Sequence, residues 1–131
     1  MEKNPEKFKT ALVIDDEEID VYLAKQMLAS EKCAKNSITF NNAKLALSYL
    51  ENIKEKDQFP DLILLDLAMP DFSGEDFLVA YHRIIPPEFS EKTKLVVLTA
   101  YKNFHEAKDI NVERFPFIAK IMEKPLKVEE L

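Results

Sequence analysis

The chain of 131 residues is poor in the residues that usually announce a site: it has one glycine, one cysteine, two histidines and no tryptophan. A single cysteine, Cys33, cannot form an internal disulfide, which points to a reducing compartment. No His or Cys cluster accompanies it, so Cys33 reads as a small apolar filler. One glycine excludes a glycine-rich phosphate loop. Lys and Arg (18) are outnumbered by Asp and Glu (24), giving a formal net charge of -6. That balance argues against nucleic acid or an anionic membrane as partner, both of which demand clustered basic side chains. No apolar run reaches membrane-spanning length, and the charged opening MEKNPEKFK lacks the apolar stretch of a secretory signal. A cytoplasmic protein of one domain, residues 1–131, is expected.

Against that background the stretch DLILLDLAMPDFSG, residues 61–74, stands out. An apolar run, LILL, leads straight into Asp66, with Pro70 and the sole glycine, Gly74, following. Such a run predicts a strand buried on both faces that breaks into a loop at Asp66. Taken alone, Asp66 has two equal readings: a solubilising charge at a strand end, or a functional group at the edge where ligands of parallel sheets collect.

The pattern recurs. Residues 10–14 (TALVI) end in Asp15-Asp16, residues 95–98 (LVVL) end in Thr99, and residues 117–122 (FIAKIM) lead to Glu123-Lys124-Pro125. Residues 37–40 (SITF) alternate as a short edge strand. Between the strands lie stretches of helical period. The first, residues 17–30, has acidic residues in its first turn and is expected to bury Ile19, Tyr22, Leu23 and Met27. The second follows a cap at Asn41 or Asn42 and carries Ala43, Ala46, Leu47, Leu50 and Ile53. The third, beyond Gly74, buries Phe77, Leu78, Tyr81 and Ile85 and stops at Pro86-Pro87. A weaker fourth involves Phe104, Ala107 and Ile110 or Asn111. The closing LKVEEL is barely one helical turn and a half.

Strands alternating with helices imply a parallel α/β sheet with right-handed crossovers. All strands then point one way, so Asp15, Asp16, Asp66, Thr99 and Lys124 emerge at one edge. Carboxylates brought together there repel by about 4 kcal/mol per pair at ~4 Å and an effective dielectric near ~20, so a cation is required. Hard carboxylate oxygens without His or Cys suit Mg²⁺ or Mn²⁺. A carboxylate beside such an ion, with a hydroxyl and an ammonium opposite, matches the needs of phosphoryl transfer to aspartate.

Four motifs in order, VIDDEE, LLDLAMPDFSG, LTA and EKPL, make the chain resemble a response-regulator receiver domain of two-component signalling, in the CheY-like superfamily. The resemblance covers nearly the whole length. It implies a flavodoxin-like, doubly wound five-stranded sheet of order 2-1-3-4-5. It also implies Asp66 as phosphoacceptor from a phosphohistidine on a sensor histidine kinase or histidine phosphotransfer protein. Asp16 would be the direct Mg²⁺ ligand, Asp15 one acting mainly through water, and the backbone carbonyl of Ala68 a further ligand. Thr99 and Lys124 would hold the phosphoryl group, Lys124 placed by a cis bond to Pro125. Gly74 would occupy a turn calling for positive φ. Such a module is not a turnover enzyme. As a stand-alone receiver it would signal by contact with a downstream protein, with the fourth helix, fifth strand and last helix as output or dimer face.

Three departures accompany the resemblance. The last helix is short or truncated against the longer one with which such domains usually close, which would leave an apolar face uncovered. Ile121 replaces the usual switch aromatic. Ala68 and Tyr101 flank the path of hydrolytic water, and neither can act as a base near neutral pH, so slow self-dephosphorylation is expected. His82 and His105 are read as solvent-facing, and Glu17, Glu18, Asp20, Asp71 and Asp76 as ordinary loop or helix-start charges. The alternative from another class is a pseudo-receiver, an interaction scaffold that never takes phosphate. A phosphatase using an aspartate nucleophile would need a second Asp where Ala68 stands.

Overall fold

The computed structural model describes residues 7–67, 69, 72–100 and 114–131. In chain order these build β1 (Phe8–Ile14), α1 (Glu18–Ser30), β2 (Ala34–Phe40), α2 (Ala43–Glu51), β3 (Leu62–Asp66), α3 (Gly74–Ile84), a single helical turn at Pro87–Ser90, β4 (Lys94–Thr99) and β5 (Ile118–Glu123). The strands form one sheet of order β2-β1-β3-β4-β5, every neighbouring pair parallel. This is the flavodoxin-like order expected of the resemblance. The weak helical segment around Phe104, Ala107, Ile110 and Asn111 lies outside the described residues, as do Ala68, Asp71, Tyr101 and His105.

The continuous aliphatic runs are explained by a core on each side of the sheet. Alternate strand residues Leu12, Ile14, Ile63, Leu65, Leu95 and Val97 join α2 and α3 in one cluster, with Phe77, Leu78, Tyr81 and Ile85 as expected. The intervening Ala11, Val13, Leu62, Leu64, Val96 and Leu98 face the other way, with Ala24 and Leu28 of α1 and buried Cys33. Asn42 supplies the cap of α2, its side chain accepting from the Leu45 N–H at 3.1 Å. Ser73 and Asp76 form a reciprocal capping box at the start of α3, so Asp76 has a defined local role beyond its charge.

Several expectations are corrected. The apolar residues of α1 do not all face the core: Ile19, Tyr22 and Leu23 are 73%, 62% and 48% exposed, and the packed face is Ala24 and Leu28 with Met27 beside them. β2 is longer than the SITF run and begins at Ala34. The face below the last strand is covered without a full helix: after Pro125 the chain makes one 3-10 turn, Val128–Glu130, and Leu126 and Leu131 are buried against that second cluster. His82 is exposed as expected, stacked on Phe117 with ring centroids 5.6 Å apart.

Gly74 is required for a reason other than positive φ, which it does not have. It opens α3 directly against the end of β3, and its N–H donates to the Leu67 carbonyl at 3.0 Å. A Cβ there would lie 2.6 Å from the Leu67 Cα and 2.8 Å from the Asp66 carbonyl oxygen. Both are backbone atoms next to the Asp66 side chain, so relief would have to move that strand end. Alanine would ordinarily favour a helix by about 1 kcal/mol, but overpacking against fixed backbone costs about 1–3 kcal/mol and wins. Gly74→Ala is therefore expected to destabilise the fold by about 1–2 kcal/mol, read as a lower urea midpoint with an unchanged slope.

Candidate functional site

Strand register sets the geometry. Ile14 is level with Leu65, so Asp15 and Asp66 leave adjacent strands side by side. Asp66 is level with Leu98, Thr99 with Glu123, and the Lys124 N–H donates to the Thr99 carbonyl at 2.7 Å. Residues far apart in the chain thus reach one edge because each strand ends within a residue of its neighbour. The cores on both faces make a register slip costly, since it would turn each strand's buried side chains the wrong way.

Asp15, Asp16 and Asp66 each offer a carboxylate oxygen, all within 4.8 Å of one another. Asp15 and Asp66 are buried at 4% exposure, and Asp16 is more open. Lys124 balances them: its Nζ lies 2.9 Å from Asp15 Oδ2, 2.8 Å from Asp20 Oδ2 and 3.5 Å from Asp66 Oδ2. Burial works against its charge, but the hydrogen bonds to Asp20 and Asp15 and the nearby Asp66 carboxylate outweigh it and push Lys124 well above the ordinary lysine range. The other oxygen of Asp15, Oδ1, accepts from the Glu17 N–H at 2.9 Å and so fixes the turn into α1. Thr99 is fully buried, and its hydroxyl has no hydrogen-bond partner among the described residues. Leaving a buried hydroxyl unsatisfied costs about 1–3 kcal/mol, so its lack of a partner among the described residues stands out.

The bond between Lys124 and Pro125 is cis, as the resemblance implied. Sequence reasoning missed Asp20, which reads there as an ordinary helix-start charge. Asp20 stands one and two helical turns before the buried Ala24 and Leu28, a face that the apolar stripe of α1 does not reveal. An apolar cavity of about 90 Å³ adjoins the site between α1 and the C-terminal segment, lined by Val13, Leu23, Met27, Leu64 and Leu126 among others. Ile121 is half-buried against the α2 and α3 side.

Residues 11–131 match the family described as the response regulator receiver domain. The chain belongs to the response regulator receiver domain family. Such domains receive signals in two-component systems. The receiver also resembles the "Two-component response regulator ORR1" of Oryza sativa subsp. japonica and of subsp. indica, with 33% identity over 79 residues, 57% of this chain. The match takes up 34% of the length of those curated relatives. Among solved structures, a response regulator receiver protein from Dyadobacter fermentans superposes with a TM-score of 0.76 at 24% identity, covering 93% of this chain and 91% of that one. A two-component response regulator from Cytophaga hutchinsonii gives 0.81 at 18% identity, covering 94% and 90%. At such identities the likeness is one of fold. No helix among the described residues of the receiver is long and apolar enough to cross a membrane.

Removing the ammonium isolates its structural share. Lys124→Met takes this ammonium away from the buried Asp15 and Asp66, and a loss of about 3 kcal/mol in unfolding free energy, the low end for a buried pair, is expected in metal-free buffer. Chemical denaturation of the two proteins side by side measures it, and an unchanged midpoint would contradict the charge balance described above.

Proposed function

We propose that this receiver accepts a phosphoryl group on Asp66 from a phosphohistidine of a sensor kinase or histidine phosphotransfer protein, with Mg²⁺ bound, and signals through protein contacts. The observation that carries the reading is the meeting at one sheet edge of three carboxylates, the Lys124 ammonium and the buried Thr99 hydroxyl, which has no hydrogen-bond partner among the described residues. Three oxygen donors within a few ångströms, with no His or Cys among the described residues of the cluster, fit a hard divalent cation, Mg²⁺ or Mn²⁺. Asp15, Asp16 and Asp66 would hold it, together with the backbone carbonyl of Ala68, which lies outside the described residues. Bound there, the ion supplies positive charge to the phosphoryl oxygens.

A carboxylate oxygen of Asp66 attacks phosphorus, the phosphorus–nitrogen bond to imidazole breaks, and the electron pair leaves with the ring nitrogen, which takes up a proton. Lys124 and the Thr99 hydroxyl stabilise the transferred oxygens: one brings charge, the other a donor already desolvated and so free of reorganisation cost. The donor protein needs a surface to rest on beside this edge. The exposed Ile19, Tyr22 and Leu23 of α1 offer an apolar one, next to Asp15, Asp16 and Asp20. The expected output and dimer face draws on the fourth helical segment, which lies outside the described residues. The cytoplasm, with its reducing poise, suits the buried, unpaired Cys33.

Incubation with Mg²⁺ and acetyl phosphate, followed by intact mass measurement, should show the gain of one phosphoryl group in the wild type and none in Asp66→Asn. Mg²⁺ alone should raise the melting temperature by binding the folded site. A wild type that gains no mass would favour the interaction-scaffold reading instead. Once formed, the acyl phosphate is expected to persist for minutes or longer, because neither Ala68 nor Tyr101 supplies a base; loss within seconds in a mass time course would defeat that expectation.

A further inference from the structure

Asp20 has no part in the chemistry proposed above, yet it makes the shortest of the three ion pairs of Lys124, at 2.8 Å against 2.9 Å for Asp15 and 3.5 Å for Asp66. An ammonium carries three donor hydrogens. Two are engaged in short bonds to Asp20 and Asp15, so in the resting protein the ammonium lies closer to those two than to the phosphoacceptor. A phosphoryl group on Asp66 adds charge and oxygen acceptors that call for the same ammonium. The third hydrogen is available to it, but Asp66 lies at 3.5 Å, so drawing the ammonium closer to the phosphoryl oxygens stretches one of the two short bonds. Asp15 is nearly as buried as Asp66, and stripping its cation there is costly. Asp20 is 38% exposed, so water can take over its carboxylate at little cost.

We propose that Asp20 is a positioning residue that competes with the phosphoryl group for Lys124, and so sets how tightly the Asp66 site holds that group. The proposal rests on the phosphoacceptor reading. It differs from a general repulsion by acidic charge because it runs through one ammonium. Glu18 provides the contrast: it stands two residues earlier on the same helix and makes no ion pair with Lys124 among the described residues. The competition also concerns α1 as a whole, because the bond from Asp20 ties that helix to the end of β5 beside the apolar cavity.

The test titrates fluoroberyllate, a mimic of the phosphoryl group, into Mg²⁺-loaded wild type, Asp20→Asn, Asp20→Ser, Asp20→Glu and Glu18→Gln. Binding is followed by backbone amide resonances, and the Lys124 ammonium by its own nitrogen resonance. Asp20→Asn and Asp20→Ser should each bind about two- to fivefold tighter than wild type, the size expected for freeing one partly exposed ion pair. Their Lys124 resonance in the unliganded protein should move toward its position in the liganded wild type. Asp20→Glu should restore affinity to near the wild-type value, and Glu18→Gln should shift it by less than about twofold. Unchanged or weaker binding by a folded Asp20 variant overturns the proposal, as does equal tightening in Glu18→Gln. The serine variant serves if the asparagine one fails to fold. A wild type that neither binds fluoroberyllate nor takes up phosphate removes the phosphoacceptor reading itself; a wild type that does both, with Asp20→Asn unaltered, removes this inference alone.

Discussion

One ammonium set against a cluster of carboxylates is the interaction on which the sheet edge depends. Asp15 and Asp66 are held apart from water by the same register that makes the strands pair, and neither could stay ionised there without compensation. Lys124 supplies it from the far end of the chain, and its own place is fixed by the backbone: its N–H bonds the Thr99 carbonyl, while Leu126 anchors the chain just beyond it. The burial of the two aspartates, the ending of β5 and the path of the C-terminal segment are therefore one problem with one solution. Any change that moves the end of β5 also moves the only cation paired with Asp15 among the described residues.

The two faces of the sheet are built unequally, and the difference sits beside the site. On one side α2 and α3 present large side chains, among them Phe77, Leu78, Tyr81 and Leu50, all essentially buried. Burial pushes the Tyr81 phenol well above its ordinary range, although a hydrogen bond with Thr93 acts the other way. On the opposite side α1 contributes mainly Ala24 and Leu28, and the last turn of the chain contributes Leu126 and Leu131. Small residues and a short terminal turn leave the cavity between them. The thinner layer carries Asp20 and the exposed apolar patch of α1, whereas the thicker one holds the strands rigidly in place.

Much of this was legible in the sequence because β3, β4 and the end of β1 are buried on both faces, so their aliphatic runs are uninterrupted and each ends on the first polar residue. The positions of Asp15, Asp66 and Thr99 at strand ends follow from that punctuation, whereas β5 is half-buried and broken by Lys120, and Lys124 was placed by the EKPL motif. The inward face of α1 was not legible, because helical period identifies an apolar stripe without saying what it faces. Ile19, Tyr22 and Leu23 form such a stripe, yet the sheet is approached by smaller residues beside it. Asp20 was misread for the same reason: once the helix is turned, a charge assigned to solvent points toward Lys124. Gly74 was found in the right place for the wrong cause, since a lone glycine signals special backbone but does not distinguish positive φ from close approach. The terminal LKVEEL misled through its length. Burial of a terminal leucine needs only one turn when the strand before it already points the chain across the sheet.

A site assembled in this way is short of positive charge: among the described residues Asp15, Asp16, Asp20 and Asp66 stand against one ammonium. Were the carboxylates each paired with their own cation, a further charge at Asp66 would find no mobile partner. Were they unpaired, the fold would not tolerate their burial. Sharing one ammonium among Asp15, Asp20 and Asp66 lies between these extremes, with bonds of 2.9, 2.8 and 3.5 Å that differ little in length but greatly in exposure to water. The backbone on either side of the lysine is held by the sheet and by Leu126. The three bonds therefore differ chiefly in how readily water can replace the lysine, which is easiest at the more exposed Asp20, the carboxylate that joins this strand end to α1.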